Sequence, residues 1–154
     1  MGWFYGFKLH LICNEKGEIL NFVFTTDNID DREPLTATNL LKGVMGKLVG
    51  DKGYIGERLF NKLFFNGINL LTKVRSNMKE RYRTLNDRII LRKRAIIESI
   101  NDELKNSCQI EHSRHRSLNN FIANLISGIA AYCFLPKKPG INVQFEKQAQ
   151  YCLF

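Results

Sequence analysis

The sequence of 154 residues predicts an α/β fold in which helices cover the faces of a mixed β-sheet. Three observations support this prediction. Two β-rich runs near the start are separated by a hairpin-type connection, strand-like and helix-like segments alternate after them, and a long apolar helical pattern lies near the C-terminus. The length allows one domain with a substantial core, which we place at residues 1–138, followed by a tail at residues 139–154.

Hydrophobic periodicity and turn signals define the elements in order. Residues 3–12 alternate between apolar and polar positions, NEKGE at 14–18 predicts a hairpin turn, and residues 19–26 predict a second strand. The remaining predicted elements are a helix at 34–42, a strand at 47–50, a helix at 56–66, a strand at 68–74, a basic loop at 75–83, and helices at 86–105 and 118–134.

The charge is strongly positive and unevenly distributed. Lysine and arginine outnumber aspartate and glutamate by 23 to 15, which gives a net charge of +8. Between Lys73 and Arg116, twelve cations accompany six acids, so this segment carries +6 of the total. The pattern predicts a polyanionic partner, nucleic acid before an anionic membrane. The four cysteines are widely spaced, which predicts free thiols and a location in the cytoplasm, near the nucleoid. No apolar stretch is long enough to cross a bilayer, so we predict no membrane partner.

Asp51 directly follows the short apolar run at 47–50 and is the first candidate for a catalytic residue. An aspartate in this position commonly makes a turn or caps the next segment. In open α/β sheets, however, catalytic and ligand-binding residues lie beyond the carboxyl ends of strands, which favours a role in chemistry. For the adjacent Lys52, a phosphate contact and a solvated side chain are both open interpretations.

Glu98, on the predicted helix at 86–105, is the second candidate. With about 100° per residue, Arg94, Glu98 and Lys105 lie within about 40° of one another and form one stripe, separate from the apolar face. One interpretation is that this stripe faces solvent and that Arg94 and Glu98 form an ion pair, which would stabilise the helix by roughly a few tenths of a kcal/mol. The other is that Glu98 and Asp51 together hold a hard divalent cation such as Mg²⁺.

Three stretches together resemble the insertion-sequence transposases of the DDE class. They are GFKLHLICNEKGEILNFVFTTDNIDDREPL, VGDKGYIGERL, and the spacing Arg94-x3-Glu98-x6-Lys105, and the resemblance covers residues 2–138. It implies a ribonuclease H-like mixed sheet flanked by helices, with Asp51 and Glu98 as catalytic metal ligands and Mg²⁺ as cofactor, replaceable by Mn²⁺. In this class, two-metal phosphoryl transfer cuts DNA at the element ends and joins the freed 3′-hydroxyl to target DNA.

The chain departs from the family pattern at two places. Leu91 occupies the position of the signature tyrosine, which affects a DNA-contacting or positioning role more than the metal site. The first catalytic aspartate of the family lies on a strand ahead of the hairpin, which begins here at Trp3. We therefore expect the first strand to be missing and this chain alone to be inactive. Three aspartates follow a strand at the sheet edge, about 14 Å from the Asp51 strand, and we interpret them as turn residues: Asp27, Asp30 and Asp31.

DNA is the predicted partner, at insertion-sequence ends and at the target, and a homodimer is left open. The residues predicted to contact DNA are Arg94, Lys105, Lys52, Lys73, Arg75, Arg114 and Arg116. The alternative function is a non-catalytic, basic DNA-binding remnant that interferes with intact transposase. An RNA-binding domain is disfavoured because no strand carries an aromatic stacking motif. A zinc site at Cys108, His112 and His115 is disfavoured because a fourth ligand is lacking.

Overall fold

The computed structural model describes residues 6–74, 76–78, 83–111 and 115–141. Within these ranges, four strands and five α-helices are present, joined by short turns. They are β1 (Phe7–Cys13), β2 (Ile19–Thr26), α1 (Pro34–Ala37), β3 (Gly46–Gly50), α2 (Glu57–Phe65), β4 (Ile68–Thr72), α3 (Leu85–Lys93), α4 (Ile96–Asp102) and α5 (Leu118–Cys133). Two 3₁₀ turns, Asn39–Leu41 and Lys52–Tyr54, and a π-helical turn, Glu103–Ser107, complete the described elements.

The described strands form two separate two-stranded sheets. β1 and β2 are antiparallel, with Phe7 opposite Thr26 and a bulge at Cys13. β3 and β4 are parallel, with Gly46 opposite Ile68, and α2 makes the crossover that a parallel pair requires. A mixed α/β architecture is therefore confirmed. The prediction of one continuous mixed sheet is not met by the described strands, since none of them pairs β1 with β3, and the ribonuclease H-like arrangement stays a prediction.

One apolar cluster, the hairpin core, lies between the β1–β2 hairpin and the C-terminal helices. Leu9 and Leu11 pack against it from one face of β1, as the alternation of the sequence predicts. On the other face His10 is buried, and its Nε2 lies 2.9 Å from Thr25 Oγ1. The polar side of the strand is thus partly covered. The buried members of the hairpin core are Ile100, Leu104, Leu125, Ile129 and Tyr132.

A second apolar cluster, the βαβ core, lies between α2 and the parallel sheet. Leu59 and Leu63 are four residues apart and form the buried face of α2. The helix ends as predicted at Asn66 and Gly67, because Gly67 adopts a φ of 75°, the left-handed conformation that terminates many helices. The buried members of the βαβ core are Leu59, Leu63, Ile68 and Leu70.

The helix predicted at 86–105 is wrong as one continuous element. Arg94 and Ala95 separate α3 from α4, and their ψ angles of −21° and −12° are near those of a 3₁₀ turn. The backbone N–H groups of Ile97 and Glu98 accordingly donate to carbonyls three residues earlier. The break has a packing reason: α3 contacts β4, whereas α4 places Ile100 in the hairpin core, so the chain passes from one core to the other here.

The helix predicted at 34–42 is also interrupted. Thr38 adopts an extended conformation between α1 and a 3₁₀ turn, and its hydroxyl oxygen accepts a hydrogen bond from the backbone N–H of Leu40. The same hydroxyl donates to the carbonyl of Pro34 at 2.7 Å. Local hydrogen bonds of threonine compete with helix continuation in this way. The helix therefore stops one turn after it begins.

The C-terminal end of α5 is attached to the hairpin turn. Tyr132 is fully buried, and its hydroxyl donates a hydrogen bond to the carbonyl of Gly17 at 2.7 Å. The backbone N–H of Ile141 donates to the carbonyl of Glu15 at 2.6 Å. Gly17 has a φ of 74°, and a Cβ at this position would overlap the carbonyl oxygen of Pro139. Both the backbone angle and the close approach therefore require glycine here.

Replacing Gly17 by alanine should reduce the free energy of unfolding more than replacing Gly43. Gly43 also has a left-handed φ, of 78°, but has no atom within 4 Å of the added Cβ. Gly43→Ala should therefore cost only the backbone strain of about 1–2 kcal/mol, whereas Gly17→Ala should cost roughly 1–3 kcal/mol more through overpacking. Urea denaturation of both variants measures the difference. Equal losses would contradict the contact between the hairpin turn and Pro139.

Candidate active site

Asp51 lies one residue beyond β3, at the carboxyl end of the strand. Its Oδ1 accepts a hydrogen bond from the backbone N–H of Lys52 at 2.6 Å, so the side chain caps the following 3₁₀ turn. The same oxygen lies 2.7 Å from NH1 of Arg94. The Asp51 side chain is nevertheless 60% exposed. The turn-capping interpretation is thus confirmed, and the carboxylate remains accessible at the strand end.

Arg94 forms its ion pair with Asp51 and not with Glu98. The interpretation in which Arg94 pairs with Glu98 is therefore contradicted, because the 29%-exposed Arg94 side chain is directed to the end of β3. Glu98 is exposed on the first turn of α4. In the ranges that the structure describes, its carboxylate forms no ion pair or hydrogen bond. The structure therefore brings Asp51 and Arg94 together and leaves Glu98 one turn away from Arg94.

Lys105 does not continue a regular stripe from Arg94 and Glu98. It lies in the π-helical turn, and its Nζ is 2.8 Å from Oε1 of Glu111. This hydrogen bond raises the pKa of Lys105. The 3₁₀ turn at residues 94–95 and the π-helical turn both change the angle per residue, so the regular 100° steps from which the stripe was predicted do not hold between residues 94 and 105.

The start of α3 is anchored to the start of β3. Thr84 and Asp87 form a reciprocal capping box, and Nζ of Lys47 lies 2.7 Å from Oδ1 of Asp87. The Asp87 side chain is only 11% exposed. Burial alone would raise the pKa of Asp87, but hydrogen bonds from Lys47 and Thr84 outweigh it and lower the pKa. This anchor is not among the features predicted from the sequence, although the Thr-x-x-Asp pattern at 84–87 is a capping-box signal.

Two ion pairs thus fix both ends of α3 along β3. Lys47, near the start of β3, binds Asp87 at the start of α3, and Asp51, just after β3, binds Arg94 at the end of α3. Leu91, at the position of the signature tyrosine, lies between Asp87 and Arg94 along the helix and is 3% exposed. Leu91 is therefore a core residue in this chain.

The three aspartates after β2 pair with neighbouring cations. Both carboxylate oxygens of Asp30 accept hydrogen bonds from Arg32, at 2.9 and 2.6 Å, and these hold the pKa of Asp30 well below its usual range. Nζ of Lys8 lies 3.2 Å from Asp31 and 3.9 Å from Asp27. All three lie in the turns that connect β2 to α1, which confirms their interpretation as turn residues.

Tyr54 lies near both the turns after β2 and the Asp51 turn, because carboxylates of both affect its pKa. Burial raises the pKa of the Tyr54 hydroxyl, and the negative charges of Asp31, Asp51 and Asp30 raise it further. In the same region, Lys8, Asp30, Asp31, Arg32 and Gly53 line a cavity of about 330 Å³. The N-terminal end of β1 and the turn after β3 therefore border the same cavity.

The other predicted site residues are spread around the structure. Lys52, Lys73 and Arg116 are exposed, after β3, after β4 and before α5, respectively. Arg75, Arg114 and His112 lie outside the described residues, so the structure does not address their predicted roles. The three cysteines in the described ranges, Cys13, Cys108 and Cys133, are free thiols. Over the same ranges, no helix combines the length and the apolar character needed to cross a membrane.

The donor atoms near Asp51 only partly suit a divalent metal. The carboxylates of Asp51 and Glu98 offer the oxygen ligands that Mg²⁺ prefers. Within the described part of the chain, however, no group of three or more His, Cys, Asp or Glu side chains is arranged to hold a metal ion. The described residues therefore do not complete a metal site by themselves.

Comparison with known proteins gives one match. The family model described as "Transposase DDE domain" matches residues 1–118, which is more than half of the chain. No curated protein and no solved structure matches the chain. The matched range includes all four described strands, Asp51, Arg94, Glu98 and Lys105.

The two ion pairs along β3 should differ in strength. A double-mutant cycle with Asp51→Asn and Arg94→Gln should give a coupling of about 0.2–1 kcal/mol, because the carboxylate is largely exposed. The cycle with Lys47→Met and Asp87→Asn should give at least about 1.5 kcal/mol, because Asp87 is mostly buried and hydrogen-bonded. Urea denaturation at pH 7 measures both couplings.

Lowering the pH provides the control for this comparison. The folded-state pKa of Asp87 is below its ordinary value of 3.8, so its contribution is present above about that pH and is lost as the pH falls through the lower folded-state value. The Lys47–Asp87 coupling should accordingly decrease in acid. A coupling that stays constant down to the lowest pH at which the protein is folded would show that it is not ionic.

Proposed function

Because the chain belongs to the family of transposase DDE domains, we propose that it supplies part of the active site of an enzyme that transposes a mobile DNA element. The enzyme would cut DNA at the ends of an insertion sequence and transfer the cut strand to target DNA. The observation that carries the proposal is the position of Asp51, which lies inside the matched range, at the carboxyl end of β3 and beside the guanidinium of Arg94. Strand ends of this kind are the usual location of catalytic groups in open α/β sheets.

The proposed reaction is substitution at phosphorus in two steps. Water first displaces the 3′-oxygen at the end of the element, and the freed 3′-hydroxyl then attacks a target phosphate and displaces the 3′-oxygen of the target strand. Asp51 and Glu98 are the proposed catalytic carboxylates. Arg94 and the backbone N–H of Lys52 both bind Oδ1 of Asp51, which orients the carboxylate. Among the described residues, Oδ2 of Asp51 has no hydrogen-bond donor and remains available as a ligand. Arg94 and Lys105 are further proposed to neutralise phosphates near this site, for which Lys105 would have to leave Glu111.

We propose Mg²⁺ as the cofactor, with Mn²⁺ able to replace it. Asp51 and Glu98 would hold the ion together with a third carboxylate that the described residues do not provide. When bound, the ion supplies positive charge where negative charge develops on the phosphate. The support for this proposal is the family and the oxygen chemistry of the two side chains.

We also propose that the active site needs a strand beyond the four described. Among the described strands, β1 pairs only with β2, and β3 pairs only with β4. Within this set of strands, the antiparallel sheet therefore has a free edge at β1, and the parallel sheet has a free edge at β3. Lys8 on β1 and Gly53 after β3 border one cavity, which indicates that the two sheets approach each other there. Two-stranded sheets are marginal alone, and an intervening strand would stabilise both and could bring the third carboxylate to Asp51. Without that strand, the described residues alone should lack activity.

The purified chain should therefore not cut DNA with Mg²⁺ or Mn²⁺. A suitable substrate is a supercoiled plasmid that carries the coding region of the chain with its flanking DNA, and nicked or linear products measure cleavage. Efficient cleavage that is lost in Asp51→Ala but kept in Glu57→Ala, an exposed acid on α2, would overturn the need for a further strand. Cleavage that survives Asp51→Ala would overturn the assignment of the active site itself.

The second candidate function is that of a non-catalytic DNA-binding protein that interferes with intact transposase. Two observations favour it: the net charge of +8, and the lack of a three-acid group within the described residues. Such a protein would bind DNA with a steep salt dependence. It would need no divalent ion at Asp51, so a measurement of metal binding at this residue distinguishes the two proposed functions.

Millimolar Mn²⁺ should bind weakly at Asp51 and Glu98 if the catalytic proposal is correct. Paramagnetic broadening of the backbone amide resonances of these two residues in an NMR spectrum measures this binding. Asp51→Asn should abolish the broadening near residue 98, because two carboxylates bind the ion more tightly than one, and Glu57→Gln should leave it unchanged. Broadening that is equal in all three proteins would favour the non-catalytic function.

A further inference from the structure

α3 presents three cations and no acidic side chain to solvent. Arg88, Arg92 and Lys93 are exposed, whereas Asp87, the acid of this helix, is buried against Lys47. Throughout the described ranges, none of the three cations forms an ion pair. The charge that the sequence concentrates between residues 73 and 116 is therefore most clearly uncompensated on this helix.

The two ion pairs to β3 determine which side of α3 faces outward. At about 100° per residue, Asp87, Leu91 and Arg94 lie within about 60° of one another, and all three contact or face the interior. Arg88 and Arg92 are about 40° apart and lie roughly 90–130° from the centre of that inner stripe. Lys93 lies about 130° from that centre in the opposite direction, so the three cations span roughly 140° of the solvent-exposed side of a helix that is anchored at both ends.

Intrahelical effects do not account for this arrangement. Arg88 and Arg92 are four residues apart, a spacing at which like charges repel each other. The helix dipole favours Arg92 and Lys93 in the last turn, but it does not favour Arg88 near the start of the helix. An external partner with regularly spaced negative charges would stabilise all three side chains.

We propose that this outer face of α3, formed by Arg88, Arg92 and Lys93, binds the phosphate backbone of duplex DNA. The inference rests on the proposed function and names the surface on which its substrate lies. Side chains at i and i+4 are about 5–6 Å apart and can contact phosphates of one strand. Arg94, the residue after α3, binds Asp51, so a DNA strand along α3 would pass the end of the helix at which the proposed catalytic carboxylate lies. Contacts of this kind are independent of DNA sequence.

The test compares two triple variants of the full chain with equal charge. In the first, Arg88, Arg92 and Lys93 are replaced by glutamine. The matched control replaces Lys16, Arg58 and Lys137 by glutamine, all of which are exposed and lie on the hairpin turn, on α2 and after α5. Fluorescence anisotropy with a 30-base-pair duplex of mixed sequence, at several KCl concentrations and without divalent ions, measures affinity.

The α3 variant should bind at least about tenfold more weakly than the control, and the slope of log K against log salt should fall by about 0.9 for each cation lost. Equal affinities of the two triple variants would overturn the role of α3. If the unchanged protein binds no DNA, the proposed function fails instead. Tighter binding of the α3 surface to a duplex RNA of the same sequence would overturn its assignment to DNA.

A charge-preserving variant keeps the test decisive if the triple variant does not fold. Arg88→Lys with Arg92→Lys should retain most of the affinity, because the proposed contacts are electrostatic. The single variant Arg88→Gln should lose affinity relative to Arg58→Gln. A loss in the lysine variant as large as in the glutamine variant would contradict binding through charge.

Discussion

The two ion pairs that fasten α3 along β3 fix the point from which the chain leaves the parallel sheet for the hairpin core. The described chain has two apolar cores, and neither contains residues from both sheets. α3 lies beside the parallel sheet, and α4, only two residues later, enters the hairpin core. The two ion pairs therefore determine where the chain turns towards the hairpin core. They are Lys47–Asp87 and Asp51–Arg94. These polar contacts fix the orientation of α3 on the parallel sheet, since no apolar core among the described residues is shared by the two sheets.

The same arrangement relates the proposed chemistry to the fold. Arg94 is both the end of the structural anchor and the cation on the proposed catalytic carboxylate. A metal ion that binds Asp51 must share the carboxylate with Arg94 or displace it. A displacement of Arg94 by such an ion would act on the turn at residues 94–95, which directly precedes the helix that carries Glu98.

Local patterns predicted most elements, and long-range contacts explain what they missed. The strand at Ile19–Thr26 has the predicted bounds, and α2, β3, β4 and α5 differ by one or two residues, because periodicity and turn residues are local properties. The break after Lys93 and the π-helical turn were not predictable from periodicity, since they depend on two cores that the same segment must reach. Likewise, the strand-end position of Asp51 followed from the sequence, but its partner Arg94, 43 positions later, did not. The proposed role of Asp51 in DNA transposition rests on the family to which the chain belongs.

The composition of the two cores has a consequence for the order in which the chain folds. The buried members of the βαβ core lie between Leu59 and Leu70, and the residues packed against them begin at Leu35, whereas the hairpin core joins segments far apart in the sequence, as in the hydrogen bond between Gly17 and Tyr132, 115 positions apart. Closing a loop of that length costs conformational entropy before any apolar contact is gained. We therefore expect the local unit to form early and the hairpin to remain without its helical cover until α5 has been synthesised. During synthesis on the ribosome, β1 and β2 thus emerge before the other described strands but are buried after them.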